Sequence, residues 1–274
     1  MKKTFIRSAA LAPLVFLLAP LALFGSGRRE PPAPLPQATM PAAEPSLEEM
    51  FDGGHWITRP SGSVITIIGI TGRRMNRDAA VQEALADAAR KAALYHGVHA
   101  KSAIILHQGQ GLLDYYSNFD YEVAPENSHE AYIDALAFDK ETDILEKNGL
   151  VIVRTKYRGV SDIPPYGAAI KDGVPEWVTN LTADIPGFLA GIGYSKNKGT
   201  VPKTYASSYE SAIVSLLPQL STQVAGEDVD AGGGRLTSSA FNSEGRLVNV
   251  MILETWYEKN TSSVWTLLAA KEKR

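Results

Sequence analysis

Three arginines follow a glycine pair at the point where an apolar β-branched run gives way to a helical pattern. Gly69-Ile70-Thr71-Gly72 ends the run, and Arg73, Arg74 and Arg77 come next. Backbone amides at the start of a helix, with cationic side chains beside them, can hold an anion. The third glycine and the acidic ribose partner of a dinucleotide site are missing. Two interpretations stay open: these arginines contact an anionic small molecule, envelope polymer or partner protein, or the turn is solvated and its glycines serve backbone geometry.

The sequence contains no strong metal-binding pattern. It contains no cysteine, which excludes disulfides, thiolate metal sites and cysteine nucleophiles. His96 and His99 could share a metal ion only on a continuous helix, and Gly97 between them opposes one. Alternating carboxylates in the stretch 227–234 could bind calcium in a flexible loop, or be simply solvated, but the ligand order of a calcium-binding loop is incomplete.

Signatures of well-known catalytic sites are also missing from the sequence. It has no Gly-x-Ser-x-Gly elbow, no paired zinc ligands and no phosphate-binding loop. We therefore expect no cofactor, no metal site and no enzymatic activity. A hydrolase whose catalytic residues form no recognised motif is the alternative.

The first 27 residues have the three-part layout of a secretory signal peptide. Two lysines and an arginine precede the apolar run Ala9–Phe24, and the small residues Gly25, Ser26 and Gly27 follow. The run is shorter than the about 20 apolar residues that cross a bilayer as a helix, and its two prolines weaken a spanning helix further. We expect a cleaved signal over residues 1–27, with a retained membrane anchor as the alternative.

The end of this segment, Leu23-Phe24-Gly25-Ser26, has the form of a bacterial lipobox with serine in the position of the lipidated cysteine. Because thioether lipidation requires a thiol, the chain is either a soluble relative of lipoproteins or one altered at Ser26. Removal of residues 1–27 leaves 24 of the 27 basic side chains against 30 acidic ones. An acidic exported protein is not expected to bind nucleic acid.

A proline-rich linker follows over residues 28–48. Six prolines in this stretch suppress helix and sheet and favour an extended polyproline conformation. Such a segment is either a spacer that holds a folded domain away from its anchor or a disordered leader.

One sequence pattern then occurs twice. His55-Trp56-Ile57-Thr58 recurs as Glu176-Trp177-Val178-Thr179, and each is followed by an apolar run, a glycine pair and a helical pattern. The two glycine pairs are Gly69 with Gly72 and Gly191 with Gly193. We infer a tandem duplication, with module 1 over 49–160 and module 2 over 161–274.

The position of each tryptophan before a core strand favours a buried anchor. The alternative is an exposed platform that stacks on carbohydrate. If the tryptophans are buried anchors, then Trp56, Trp177 and the four glycines are structural residues.

Apolar periodicity predicts one long helix per module, over 79–95 and 200–220, with Pro218 expected to kink or end the second. Strands are expected at 102–107, 131–138, 144–145, 150–157, 236–241, 246–257 and 264–270. Asn148-Gly149 favours a two-residue hairpin turn, and another turn is expected at Ser243-Glu244-Gly245. The order of elements predicts an α+β fold, in which each module is a mainly antiparallel sheet with a helix packed on one face.

Several of these segments together resemble a known family. Pro175-Glu176-Trp177-Val178, Gly191-Ile192-Gly193, the helix containing Ala206 and the strand Val264–Ala269 resemble the LPP20-type envelope lipoprotein domain. That domain is similar to modules of the flagellar accessory proteins FlgP and FlgT. Module 1 matches more weakly, because Trp56 lacks the preceding proline. The resemblance implies a periplasmic or outer-membrane-associated protein, adhesive or flagellum-supporting, without a catalytic site.

From the sequence we expect an exported, non-catalytic cell-envelope protein that acts as a scaffold or binding module. Its expected partners are envelope or flagellar proteins, and it would touch a membrane only through an uncleaved signal segment. The first alternative is a periplasmic module that binds an anion or small molecule at the Arg73 and Arg74 turn. The second is the unrecognised hydrolase.

Overall fold

Six helices and thirteen strands make up the part of the chain that a computed structural model describes. The described residues are 45–57, 63–108, 118–167, 169–220, 222–231 and 234–273. Among them, only the backbone is described for 104–108, 118–120, 222–231 and 234–241. The predicted signal peptide and most of the predicted linker lie outside these ranges. The described residues belong to one compact unit.

The helices are α1 (Leu47–Gly53), α2 (Arg77–His96), α3 (Glu130–Ile133), α4 (Glu176–Asn180), α5 (Val201–Val214) and α6 (Leu217–Leu220). The strands are β1 (His55–Ile57), β2 (Ile65–Gly72), β3 (Val98–Gln108), β4 (Asn118–Pro125), β5 (Leu136–Ala137), β6 (Ile144–Lys147), β7 (Leu150–Tyr157), β8 (Ile170–Lys171), β9 (Val174–Pro175), β10 (Leu189–Ser195), β11 (Thr222–Ala231), β12 (Gly234–Glu258) and β13 (Ser263–Glu272). The described strand pairs are all antiparallel, so the predicted α+β class with mainly antiparallel sheets is confirmed.

The 25-residue strand β12 organises a seven-stranded sheet. Its first half lies between β11 and β3, and its second half lies between β13 and β1. The sheet continues from β3 to β4 and from β13 to β10. Within β12 the register shifts between Val248 and Met251, where Asn249 has a left-handed φ of 54°. The bulge bends the strand, so its two halves serve different neighbours.

A smaller, four-stranded sheet has β7 at its centre, with β2 on one side and β5 and β6 on the other. Helix α2 packs on β2 and β7 through its alanine stripe, whose members Ala80, Ala84, Ala88 and Ala92 are fully buried. The helix approaches so closely that a Cβ on Gly69 would lie 1.9 Å from the Ala84 carbonyl oxygen. A Cβ on Gly72, in contrast, would meet no atom within 4 Å.

Helix α5 lies on β10 and β13 in the same manner. A Cβ on Gly193 would be 2.0 Å from the Ser208 carbonyl oxygen, and one on Gly191 would be 2.4 Å from that of Ala212. In both sheets, a glycine on the strand that precedes the helix allows that helix to contact the strand backbone directly.

Local predictions succeeded where short-range chemistry decides the conformation. Asn148 and Gly149 have φ values of 53° and 74° in the turn between β6 and β7, as the dipeptide predicted. The first long helix spans Arg77–His96, two residues longer at its start than expected. Helix α5 ends at Val214, and Pro218 lies in the short α6.

Three local predictions were wrong. The segment 131–138 forms α3 and the two-residue β5, because Tyr132 turns back to stack on His96 of α2. No turn occurs at 243–245: β12 runs through because β3 pairs with all three residues and β11 also pairs with Ser243. Gly245 instead makes room for α6, since its Cβ would lie 2.4 Å from Leu220.

The third wrong prediction concerns the acidic stretch 227–234. Its first five residues belong to β11 and pair with β12, instead of forming a flexible loop. Strand β4 was also missed, as was the helical conformation of the segment that carries Trp177.

The glycines of β2 provide a matched test of the close packing. We expect Gly69→Ala to destabilise the protein by about 3 kcal/mol, because the added carbon collides with helix backbone that cannot move aside. Gly72→Ala makes the same chemical change on the same strand without a collision, and its unfolding free energy should stay close to that of the parent. Urea unfolding of both variants measures the difference. Equal stabilities would show that α2 does not lie against Gly69.

Candidate functional site

The arginine turn precedes α2, whose first backbone amides are already occupied. Asn76 is the N-cap, and its Oδ1 accepts hydrogen bonds from the amides of Asp78 at 2.9 Å and Ala79 at 3.2 Å. These amides are the donors that an anion at a helix start would use. The helix therefore begins with its own side-chain cap in the place of a bound anion.

Two of the three arginines are also engaged with carboxylates. Arg74 Nε lies 3.0 Å from Glu83, and Arg77 pairs with Glu146. The hydrogen bond from Arg74, followed by one from Thr71, lowers the pKa of the Glu83 carboxyl. Arg73 is held by its backbone amide, which donates to the Gly149 carbonyl at 2.8 Å. The turn is thus tied to its own neighbours on α2 and on the β6–β7 hairpin.

The sequence did not single out Glu254, a carboxylate that accepts three side-chain hydrogen bonds. Glu254 on β12 is fully buried, and three segments donate hydrogen bonds to its carboxylate. Its Oε2 accepts from His55 at 2.6 Å and from the Trp177 indole at 2.8 Å, and its Oε1 accepts from the Tyr166 hydroxyl. We call His55, Tyr166, Trp177 and Glu254 the Glu254 cluster.

These hydrogen bonds decide the charge of the buried carboxyl. Burial by itself raises the pKa of Glu254, but the hydrogen bonds from His55, Trp177 and Tyr166 outweigh it, and the pKa falls below its ordinary value. Because an ionised carboxylate can only accept, His55 Nε2 must carry the proton that lies between them. Burial, followed by the hydrogen bond to Glu254, raises the pKa of Tyr166 far above its ordinary value, so the phenol stays protonated and donates.

A histidine held by a buried carboxylate is an arrangement that can orient a general base. In this cluster, however, both carboxylate oxygens are used by the chain itself. Tyr166 comes from the segment after β7, Trp177 from α4 and His55 from β1. The geometry is that of a polar cross-link between segments far apart in sequence.

A largely buried ion pair lies at the open edge of β2. Asp87 and Lys91 of α2 are 2.8 Å apart, and their side chains are only 12% and 10% exposed. Asp87 accepts the Ile70 amide at 2.9 Å, and Lys91 donates to the Ile68 carbonyl at 2.5 Å. The pair supplies one acceptor and one donor to the β2 edge, as a neighbouring strand would.

His96, one of the two histidines considered for a metal ion, belongs to an aromatic cluster. Its Nε2 hydrogen-bonds the Tyr157 hydroxyl, its ring stacks on Tyr132 at 5.0 Å, and Tyr95 lies edge-on at 5.3 Å. Burial lowers the pKa of His96. His99 instead lies 2.6 Å from Glu244. No group of three or more residues with metal-binding side chains occurs in the described ranges.

The structure buries both repeated tryptophans, the alternative that the sequence favoured. Trp56 and Trp177 are each 4% exposed. Trp56 stacks on Tyr205 with ring centroids 4.8 Å apart, and its indole nitrogen is buried without a hydrogen-bond partner. Trp177 differs, because its indole nitrogen donates to Glu254.

The spaces among the described residues differ in size and in character. An internal cavity of about 40 Å³, lined mostly by apolar side chains of β2, α5 and β12, has room for a few water molecules at most. An open cleft of about 440 Å³ lies beside β10, between the segment Leu181–Ile185 and the residues Ser215 and Gln219. A second open cleft of about 360 Å³ lies between the end of β2, α2 and the start of α5. Both clefts are large enough to receive part of another molecule, and the internal cavity is not.

Comparison with protein-family models, with curated proteins and with solved structures finds no match for this chain. Among its described helices, none is both long and apolar enough to cross a membrane.

The Glu254 cluster makes a stability prediction with a defined pH dependence. We expect Glu254→Gln to lower the free energy of unfolding at pH 7 by about 3 kcal/mol, because the three donors lose an ionised acceptor. A carboxyl whose pKa is lower in the folded protein stabilises it fully above the unfolded pKa, about 4.3, and loses that contribution as the pH falls through the folded value. The variant should therefore show a weaker loss of stability below about pH 4.3.

Urea unfolding at several pH values measures both effects. Glu272→Gln, the same change at an exposed position of β13, is the matched control and should behave as the parent. A Glu254→Gln variant as stable as the parent would contradict a cross-linking role.

His96 makes a separate prediction at milder pH. Because its pKa is lower in the folded protein, its neutral form stabilises the fold above the unfolded pKa of about 6.5, and this contribution is lost as the pH falls. We expect His96→Gln to flatten the decline in melting temperature between about pH 7 and pH 5. The control is His99→Gln, the same change at a histidine outside the aromatic cluster. If both variants keep the slope of the parent, His96 does not become charged during acid destabilisation.

Proposed function

We propose that this chain is an exported, non-catalytic cell-envelope protein that works as a scaffold or binding module. The single observation that carries the proposal is the use of its buried polar groups. Glu254, Asp87 and Lys91 each bind other parts of the same chain, and these contacts join segments instead of facing a substrate. Such contacts are expected in a protein that acts as a structural scaffold.

We further propose that the fold consists of two related modules, over 49–160 and 161–274. The strand order β2-β7-β6 has a counterpart in β10-β13-β12, again antiparallel throughout. In each set the first strand is followed by a helix that lies against one of its glycines. A hairpin follows each helix, β3 with β4 and β11 with β12. This correspondence supports a duplication of an LPP20-like unit.

The proposed location rests on the sequence. A signal peptide over residues 1–27, a proline-rich linker and the resemblance to LPP20-type domains support a periplasmic or outer-membrane-associated protein. Envelope or flagellar proteins are the proposed partners.

Cell fractionation with mass spectrometry of the N-terminus tests this location. The parent chain should appear in the periplasmic fraction without residues 1–27. Ser26→Cys completes the lipobox, so that variant should gain a lipid and move to the membrane fraction, while Ser26→Ala should remain with the parent. A full-length chain in the cytosol would refute export.

Affinity purification from detergent-solubilised envelopes tests the scaffold role. The mature chain should recover a defined set of envelope or flagellar proteins that a version destabilised by Gly69→Ala does not recover. Turnover of broad hydrolase substrates that co-purifies with the chain would instead support the enzyme alternative.

A further inference from the structure

Strand edges of a sheet invite pairing with other chains unless something blocks them. Each long described edge other than β10 has a recognisable block. The backbone of β2 is occupied by Asp87 and Lys91. Strand β4 carries Asp120, Glu122 and Pro125, and β11 carries Glu227, Asp228 and Asp230. The remaining edge strands have between two and four residues.

Strand β10 lacks all of these blocks. Its seven residues, Leu189–Ser195, include no charge and no proline, and they pair with β13 in one unbroken register. Among the described strands it has no second neighbour. Tyr194 is 37% exposed, and the open cleft of about 440 Å³ runs beside this edge.

The outward-facing groups of β10 can be identified. The Ala190 carbonyl faces the cleft, where Gln219 Nε2 lies 3.5 Å away, too far for a strong hydrogen bond. Alternate residues of an antiparallel strand point their amides and carbonyls to the same side. Ala190, Ile192 and Tyr194 therefore present the free edge.

We propose that β10 pairs antiparallel with β10 of a second copy of this chain, about a two-fold axis at Ile192. With the axis at Ile192, this residue lies opposite Ile192 of the second copy, and Ala190 lies opposite Tyr194. No other position of the axis pairs all three outward-facing residues. A two-fold axis makes the contact self-complementary and closed. The inference goes beyond the proposed function and does not depend on where the protein works.

The charges around β10 favour a second copy of this chain as the molecule that pairs with its free edge. Asp184 precedes the strand, and Lys196 and Lys198 follow it. All three side chains are exposed, and none has an ion-pair partner among the described residues. Antiparallel pairing brings Asp184, which precedes one strand, towards Lys196 and Lys198, which follow the other. A parallel arrangement would bring like charges together.

The absence of cysteine from the chain makes a cross-linking test direct. Ile192→Cys in the full chain, oxidised with copper phenanthroline, should form a disulfide-linked dimer, because opposed residues of an antiparallel pair have Cα atoms about 5.5 Å apart. The control is Met75→Cys, at a fully exposed position in the turn before α2, and it should stay monomeric. Equal cross-linking of the two variants, or none at Ile192→Cys in a folded protein, would overturn the proposal.

A second variant tests the edge without a cross-link. Tyr194→Lys places a charge on the free edge, and sedimentation equilibrium should show at least about a tenfold weaker dimer. Met75→Lys adds the same charge away from the edge and should dimerise as the parent does. A monomeric parent would refute pairing with a second copy and would mean that β10 pairs with a different protein. A dimer unaffected by Tyr194→Lys would show that the chain dimerises through another surface.

Discussion

An ionised carboxylate can remain in a protein interior only if hydrogen bonds replace the water that it has lost. Glu254 satisfies this requirement with donors from β1, α4 and the segment that follows β7. Each donor must approach from its own direction, so the carboxylate fixes where three otherwise independent pieces of chain can lie. The bend in β12 at Asn249 sets the direction of the half-strand that carries Glu254. The hydrogen bonds of the Glu254 cluster and the bend in β12 therefore depend on each other.

Two glycines determine how closely the helices pack on the strands. Where a helix packs on a sheet, side chains on both surfaces normally keep the backbones apart. Gly69 and Gly193 remove one of those layers, and the alanine and serine side chains of α2 and α5 keep the other thin. The helices therefore contact strand backbone directly. From α2, Asp87 and Lys91 can then reach the edge of β2, so close packing and edge protection have a common origin.

The features predictable from sequence were those that local chemistry controls. The Asn148-Gly149 turn, the alanine-lined α2 and the burial of both tryptophans follow from periodicity and backbone preference. The failures are positions where distant strands decide. Gly245 has the features of a turn residue, but it pairs with Ala100 of β3 inside a strand. The acidic run 227–231 has the composition of a loop, but it pairs with β12. Glu254 lies in an alternating strand pattern, and no local signal indicates that it faces Trp177.

The two tryptophans show how the halves of the chain depend on each other. Trp56 lies in an apolar cluster with Tyr205 and Val264 of the second half, while Trp177 lies in one with Ile65 and Ile67 of the first. Each aromatic anchor therefore completes a core that belongs partly to the opposite half. Neither half could keep its tryptophan buried if it were separated from the other. The two halves of the described chain therefore share their apolar cores, and β12 contributes to both.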